Sequence, residues 1–267
     1  MLVGLGTAND PASVVDLMTA AAERAGTDAG VRGLLASLDR IVCPQGSWSL
    51  VDPARTVARR IGATKARTFL AQIGVSQQEL INHALAAVAA GECEVVLVVG
   101  AEARAWERAG GVATDESTGS PDETLMRPPE FVAPVEIAAG VVWPVVQEYA
   151  LIENALAAAE GVAGQALSDD IAALWARFNE VAVRNPDAAF GVPWSASEIA
   201  TPGPRNRPLA YPYNLRHSTQ WTVDQASALL LCSAERAAAA GVPADRWLFR
   251  MWRCTVRRPS RSRRGRT

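Results

Sequence analysis

Residues 76–103 read SQQELINHALAAVAAGECEVVLVVGAEA, and the change of pattern inside this stretch decides the fold class. Ser76 and Glu79 stand at the spacing of a capping box, in which a hydroxyl and a carboxylate each satisfy an orphan amide at a helix start. Ile81, Ala84, Leu85 and Val88 then share one helical face, and Gly91 suits the left-handed residue that ends a helix. The run EVVLVVG is apolar without alternation and rich in valine, which predicts a strand covered on both faces in a parallel sheet.

The same grammar extends upstream. LVGLG predicts a first strand, and DPASVVDLMTAAAERAG a helix with Pro11 near its first turn and Gly26 at its end. LDRIVCP gives a second strand, DPARTVARRIG a helix capped by Asp52, and RTFLAQ a third strand. Strand and helix alternate four times over residues 1–105, so this part is expected to be α/β with right-handed crossovers.

Residues 106–215 change character. A polar excursion punctuated by glycine and proline, too long for an ordinary connection, leads into two helices. Val145, Tyr149, Ile152 and Leu156 line one face of the first, with Pro144 at its start. Ile171, Leu174, Phe178 and Val181 line the second, with Ser168 as its cap. Six prolines between 184 and 215 then predict mostly irregular backbone. In DQASALLLCSAERAAAAGVPADRWLF the earlier grammar returns: a buried strand near 226–232, a helix stopped by Gly241 and a strand at 246–250. The echo of residues 81–99 hints at a second α/β unit that begins near 224.

Composition bounds the function classes. With 267 residues, 49% of them hydrophobic, the chain can bury one large core or two smaller ones. No apolar run approaches the ~20 residues that span a bilayer, and the opening lacks a secretory pattern, so the expectation is a cytoplasmic protein. Cys43, Cys93, Cys232 and Cys254 are scattered, with only His83 and His217 to supplement them, which argues against a metal site and against disulfides. Each thiol reads as a small buried apolar group. Residues 253–267 hold seven of the 26 basic side chains and no acid. With no aromatic interleaving, that tail reads as a disordered end, of the kind a change of reading frame produces, rather than a nucleic-acid contact.

INHALAAVAAGECEVVLVVGAEA resembles the helix and strand that follow the nucleophile loop in the thiolase superfamily. NRPLAYPYNLRHSTQWTVDQASALLLCSAERAAAAGVP resembles the passage from the thiolase loop domain into its second half. The YPY and VDQA wording is closest to the sterol-carrier and actinobacterial thiolase-like branch, often labelled acetyl-CoA acetyltransferase. The resemblance covers residues 1 to about 250. It implies a layered α-β-α-β-α fold, of which this chain would hold the N-terminal half (1–105), a loop domain that covers acyl-CoA (106–215) and only the start of the C-terminal half (216–252), followed by the basic tail (253–267).

The family's chemistry is acyl transfer or Claisen and retro-Claisen reaction on CoA thioesters, with no covalently held cofactor. A cysteine at a helix N-terminus is its nucleophile, because that position and a nearby base favour the thiolate. The resemblance places that position on Gly74, so the family's C-x-S becomes Gly74, Val75, Ser76. Its histidine loops and second cysteine have no counterpart, and Cys254 lies in the tail. Ser76 and His217 are the weak catalytic candidates left. Arg205, Arg207, Tyr213 and Arg216 are the candidates for CoA and its acyl channel, since guanidinium groups suit phosphate. Tyr211, Trp175, Trp194 and Trp221 are open between channel wall and packing, His83 is a structural histidine, and Asp224 reads as a turn or cap residue. The expectation is a thiolase-like acyl-CoA acyltransferase that is degenerate. The alternatives are a non-catalytic acyl-CoA or lipid-binding protein or scaffold subunit completed by a partner, and a frameshifted fragment. A homodimer or hetero-oligomer is implied by resemblance.

Overall fold

The structure is a computed structural model that describes residues 1–112, 119–126, 138–139, 145–162 and 164–250. Pro144, Cys254 and the basic tail lie outside them. The chain divides into two compact units, Met1–Phe131 with Val223–Thr267, and Val132–Thr222.

The first unit is a six-stranded sheet in the order β1-β8-β4-β2-β3-β5. Its strands are β1 (Leu2–Ala8), β2 (Arg40–Pro44), β3 (Arg67–Ala71), β4 (Val95–Ala103), β5 (Glu123–Leu125) and β8 (Asp224–Cys232). β2 pairs in parallel with β3 and β4, and β3 with β5. Helices α1 (Val14–Asp28) and α2 (Pro53–Arg60) pack on one face and α3 (Gln77–Ala89) on the other, and the short α4 (Arg104–Arg108) follows β4. β4 behaves as its valine run predicts. Val95, Leu97 and Val99 belong to the core under α1, while Val96 and Val98 belong to the core under α3. Burial on both faces removes the need for polar alternation.

The caps are legible. Ser76 accepts the amide of Glu79 at 3.2 Å, Asp52 accepts that of Arg55 at 3.1 Å, and Gly91 and Gly241 take left-handed φ of 72° and 80°. Helix α1 is capped by Ser13 and starts at Val14, so Pro11 lies before its first turn, and it runs past Gly26 to Asp28. Gly26 is needed for closeness instead, since a Cβ there would press on the Leu35 side chain. Gly4 and Gly6 serve β1 in the same way: a Cβ on either would overlap the carbonyl oxygen of Ala25 or Ala21 on α1.

Three expectations are corrected. The strand predicted near 226–232 forms, but it does not open a second α/β unit. β8 inserts between β1 and β4, antiparallel to both, so the sheet is mixed rather than parallel. Its inward residues Ala226, Ala228, Leu230 and Cys232 complete the core under α1. Helix α8 (Ala234–Ala240) follows, and in place of a strand at 246–250 there is a 3-10 turn at Ala244–Arg246 and a single bridge between Leu2 and Leu248. The polar excursion also contributes an unforeseen edge strand, β5. It is held by an ionic network in which Asp122 accepts from Thr68 N–H (2.7 Å) and Arg55 (2.7 Å), while Thr68 and Arg55 also reach buried Asp52.

The second unit contains α5 (Val146–Glu160), α6 (Gln165–Ala182), the short α7 (Ala196–Ala200) and a hairpin of β6 (Pro208–Ala210) and β7 (Tyr213–Asn214), with a cis Tyr211–Pro212 bond between them. The apolar face read on α5 is exposed: Tyr149, Ile152 and Leu156 are 62%, 58% and 56% accessible. The packed side is Ala150 and Ala157, with Asn154 donating to Tyr211 O and Glu153 accepting from Tyr213. Helix α6 begins at Gln165, with Gly164 as its cap position, and Ser168 is buried inside it rather than capping it. Of its expected apolar face only Ile171 is buried; Leu174, Phe178 and Val181 are exposed.

Candidate functional site

Two places bear on chemistry, one in each unit. In the first, the turn before α3 carries Gly74 with φ of 107°, and Val75 N–H donates to Gln72 O to close it. A residue with a Cβ is disfavoured at that φ, so the backbone here is set for glycine. Ser76 is exposed, and its hydroxyl accepts the Glu79 amide, which is the work of a cap. His83 lies one turn into α3 with its ring 5.9 Å from Phe69 and its Nε2 buried without a partner. Burial first, and the Arg40 charge second, hold its pKa below the ordinary value, so it is neutral near pH 7. Cys43, Cys93 and Cys232 are buried, and burial pushes each thiol up in pKa, away from the thiolate a nucleophile requires. Asp224 is buried and accepts the Trp106 amide at 2.9 Å, a capping role. Among the described residues no cluster of three His, Cys, Asp or Glu could hold a metal ion.

In the second unit a pocket of about 480 Å³ opens beside α6. Its lining includes Trp175, Phe178, Phe190 and Trp194, the aliphatic Ile199 and Leu215, and the cationic Arg205 and Arg216. Trp175 and Phe178 meet edge to face at 5.9 Å. Asn179 fixes the wall loop by accepting from Trp194 N–H (2.7 Å) and donating to Val192 O (3.0 Å). The Arg216 guanidinium carbon stands 3.3 Å from the Trp194 ring centroid, a stacked cation–π contact, and its NH1 donates to Glu198 O. Both contacts hold the guanidinium against the indole. An apolar aromatic cavity lined by two cations, one of them held by stacking, suits an amphipathic ligand that carries anionic groups.

The structure brings Arg205 and Arg216 together at this pocket and leaves the other candidates outside its lining. Arg207 is exposed, and its carbonyl accepts from Leu215 N–H. Tyr213 donates to Glu153 at 2.7 Å, and burial together with that carboxylate raises its pKa. Tyr211 donates to Gly164 O. His217 is 3% exposed; its Nδ1 accepts Asn214 N–H, its Nε2 has no partner, and burial lowers its pKa. Trp221 is half exposed and does not line the pocket. Phe178 and Phe190 were not foreseen as wall residues. Helical spacing marks Phe178 as apolar but not which surface it serves, and Phe190 sits in proline-rich sequence without any period.

No protein-family model and no curated protein matches the chain. Solved structures do. A monomeric SCP2-thiolase-like protein type 1 from Mycobacterium smegmatis superposes with a TM-score of 0.73 at 30% identity, over 92% of this chain and 48% of its own. The Ltp2-ChsH2(DUF35) aldolase gives 0.62 at 22% identity, over 89% of this chain and 56% of its own. An acetyl-CoA acetyltransferase from Syntrophomonas wolfei gives 0.56 at 16%, over 90% and 66%. The sheet covered by helices, with a loop unit inserted before its last strand, is thus a thiolase-like α/β fold. The fold and the 30% identity to the SCP2-thiolase-like protein support a thiolase-superfamily assignment for the chain. It spans about half the length of the first of these structures.

Proposed function

We propose that this chain binds CoA thioesters as a thiolase-like protein without the standard nucleophile. The observation that carries the reading is Gly74, with its positive φ, in the turn where the family resemblance puts the cysteine. Its inherited chemistry is acyl transfer or Claisen-type reaction, and in this chain it is degenerate: the described thiols are buried and Ser76 is engaged as a cap. The pocket of the second unit supports the binding half of the reading. Its aromatic walls suit the adenine ring, and Arg205 and Arg216 suit the phosphates. A role in cytoplasmic lipid metabolism follows as part of the same proposal.

Calorimetric titration with CoA tests it. Binding is expected, and Arg216→Ala should weaken it by roughly tenfold to a hundredfold, the range for losing a hydrogen bond to a charged group. Absence of binding, or CoA-dependent thiolysis that survives thiol alkylation, would overturn the proposal.

A second reading, a scaffold subunit in a homodimer or hetero-oligomer, is favoured by the exposed Tyr149, Ile152 and Leu156 on α5. Continuation of the sheet through β3 does not serve it, because β5 already fills that edge. A strictly monomeric state in sedimentation would count against it.

A further inference from the structure

We infer that Asn206 is the positioning residue for the cationic lining of the pocket, with Asn214 as its auxiliary; this rests on the proposal that the pocket takes a CoA thioester. Asn206 is 2% exposed and lies between Arg205 and Arg207 in a proline-rich turn, where its backbone exchanges two hydrogen bonds with Gly203 and leaves its side chain free to reach other segments. Its Nδ2 donates to Glu198 O (3.2 Å), Ile199 O (2.9 Å) and Thr201 O (2.9 Å), the carbonyls left open at the end of α7. Its Oδ1 accepts the backbone N–H of Arg216 at 2.9 Å. One side chain therefore ties three things together: the C-terminal end of α7, the backbone beside Arg205, and the backbone that carries Arg216.

Asn214 adds Nδ2 contacts to Ile199 O (3.4 Å) and Ala200 O (2.9 Å). Arg216 then completes the link by donating to Glu198 O, so its charged end and its backbone are fixed to the same short helix through different atoms. Neither asparagine lines the pocket. Their effect on a ligand passes through the arginines. Loss of the Asn206 amide frees the arginine backbone to drift, which weakens recognition of phosphate more than recognition of an uncharged portion of the ligand.

The test compares the wild-type chain with Asn206→Ala and Asn214→Ala, titrated with CoA and with pantetheine, which lacks the nucleotide phosphates, at several salt concentrations. Asn206→Ala is expected to lose about tenfold in CoA affinity with a shallower salt dependence and less than about twofold in pantetheine affinity, the signature of displaced cations. Equal losses for both ligands would mean a purely structural role, and unchanged CoA affinity would mean none; either overturns the inference. If Asn206→Ala shows no cooperative melting, Asn214→Ala decides by the same ratio. A wild-type chain that binds neither ligand defeats the CoA proposal itself, whereas wild-type binding with unselective variants defeats only the asparagine inference.

Discussion

At the scale of single residues, Gly74 is the position where sequence and geometry meet. The capping serine and the helix-ending Gly91 frame the turn in which the proposal places the missing nucleophile, and the Gly74 backbone takes a φ of 107°, where a side chain is strained. His217 makes a separate residue-scale point. It is buried neutral, with Nδ1 spent on the Asn214 amide, and its pKa lies below the ordinary 6.5. Its folded-state pKa is depressed, so the unfolded chain takes up the proton first, and stability is retained above about pH 6.5 and lost as pH falls toward the lowered value. His83 acts with the same sign. Thermal melts between pH 7.5 and 5 should therefore show declining stability, and His217→Asn should flatten part of that decline. An unchanged slope would mean that the imidazole is not held neutral.

At the scale of elements, β5 is the informative case. Three residues pair with β3, too few to stand without help, and the Asp122 network supplies it. Thr68 N–H, and then Arg55, hold the Asp122 carboxyl below its ordinary range. Asp122→Ala should loosen β5, and amide hydrogen exchange over Phe69–Ala71 should rise by tenfold or more while Val95–Val99 in the interior stays protected. Equal protection in the variant would show that β5 is held by its backbone pairing alone. The strand also shows why elements differ in legibility. Valine-rich β4 announces itself because burial on both faces demands it, whereas β5 is a short polar segment that is a strand only because β3 offers an edge.

At the scale of the whole molecule, the α/β alternation, the caps at Asp52, Ser76, Gly91 and Gly241 and the thiolase-like fold were legible because each rests on local pattern. The place and direction of β8 were not. An apolar run fixes that a strand is buried, but its neighbours depend on how the chain returns from a long excursion, and here it returns into the first sheet. The exposure of the apolar faces of α5 and α6 was not legible for a related reason: helical period finds an apolar stripe but not whether the chain itself covers it. At the pocket, arginines near the proline-rich hairpin were foreseeable as anion contacts. The two that converge, and the buried asparagine behind them, required the fold.

Native mass spectrometry of the chain incubated with acetyl-CoA, followed by the same sample under denaturing conditions, reads binding and acyl transfer together. The expected result is a complex heavier by one intact acetyl-CoA that dissociates completely on denaturation. A denaturation-stable acetyl adduct, or no complex at all, would contradict a CoA-thioester-binding thiolase fold with glycine in place of its nucleophile.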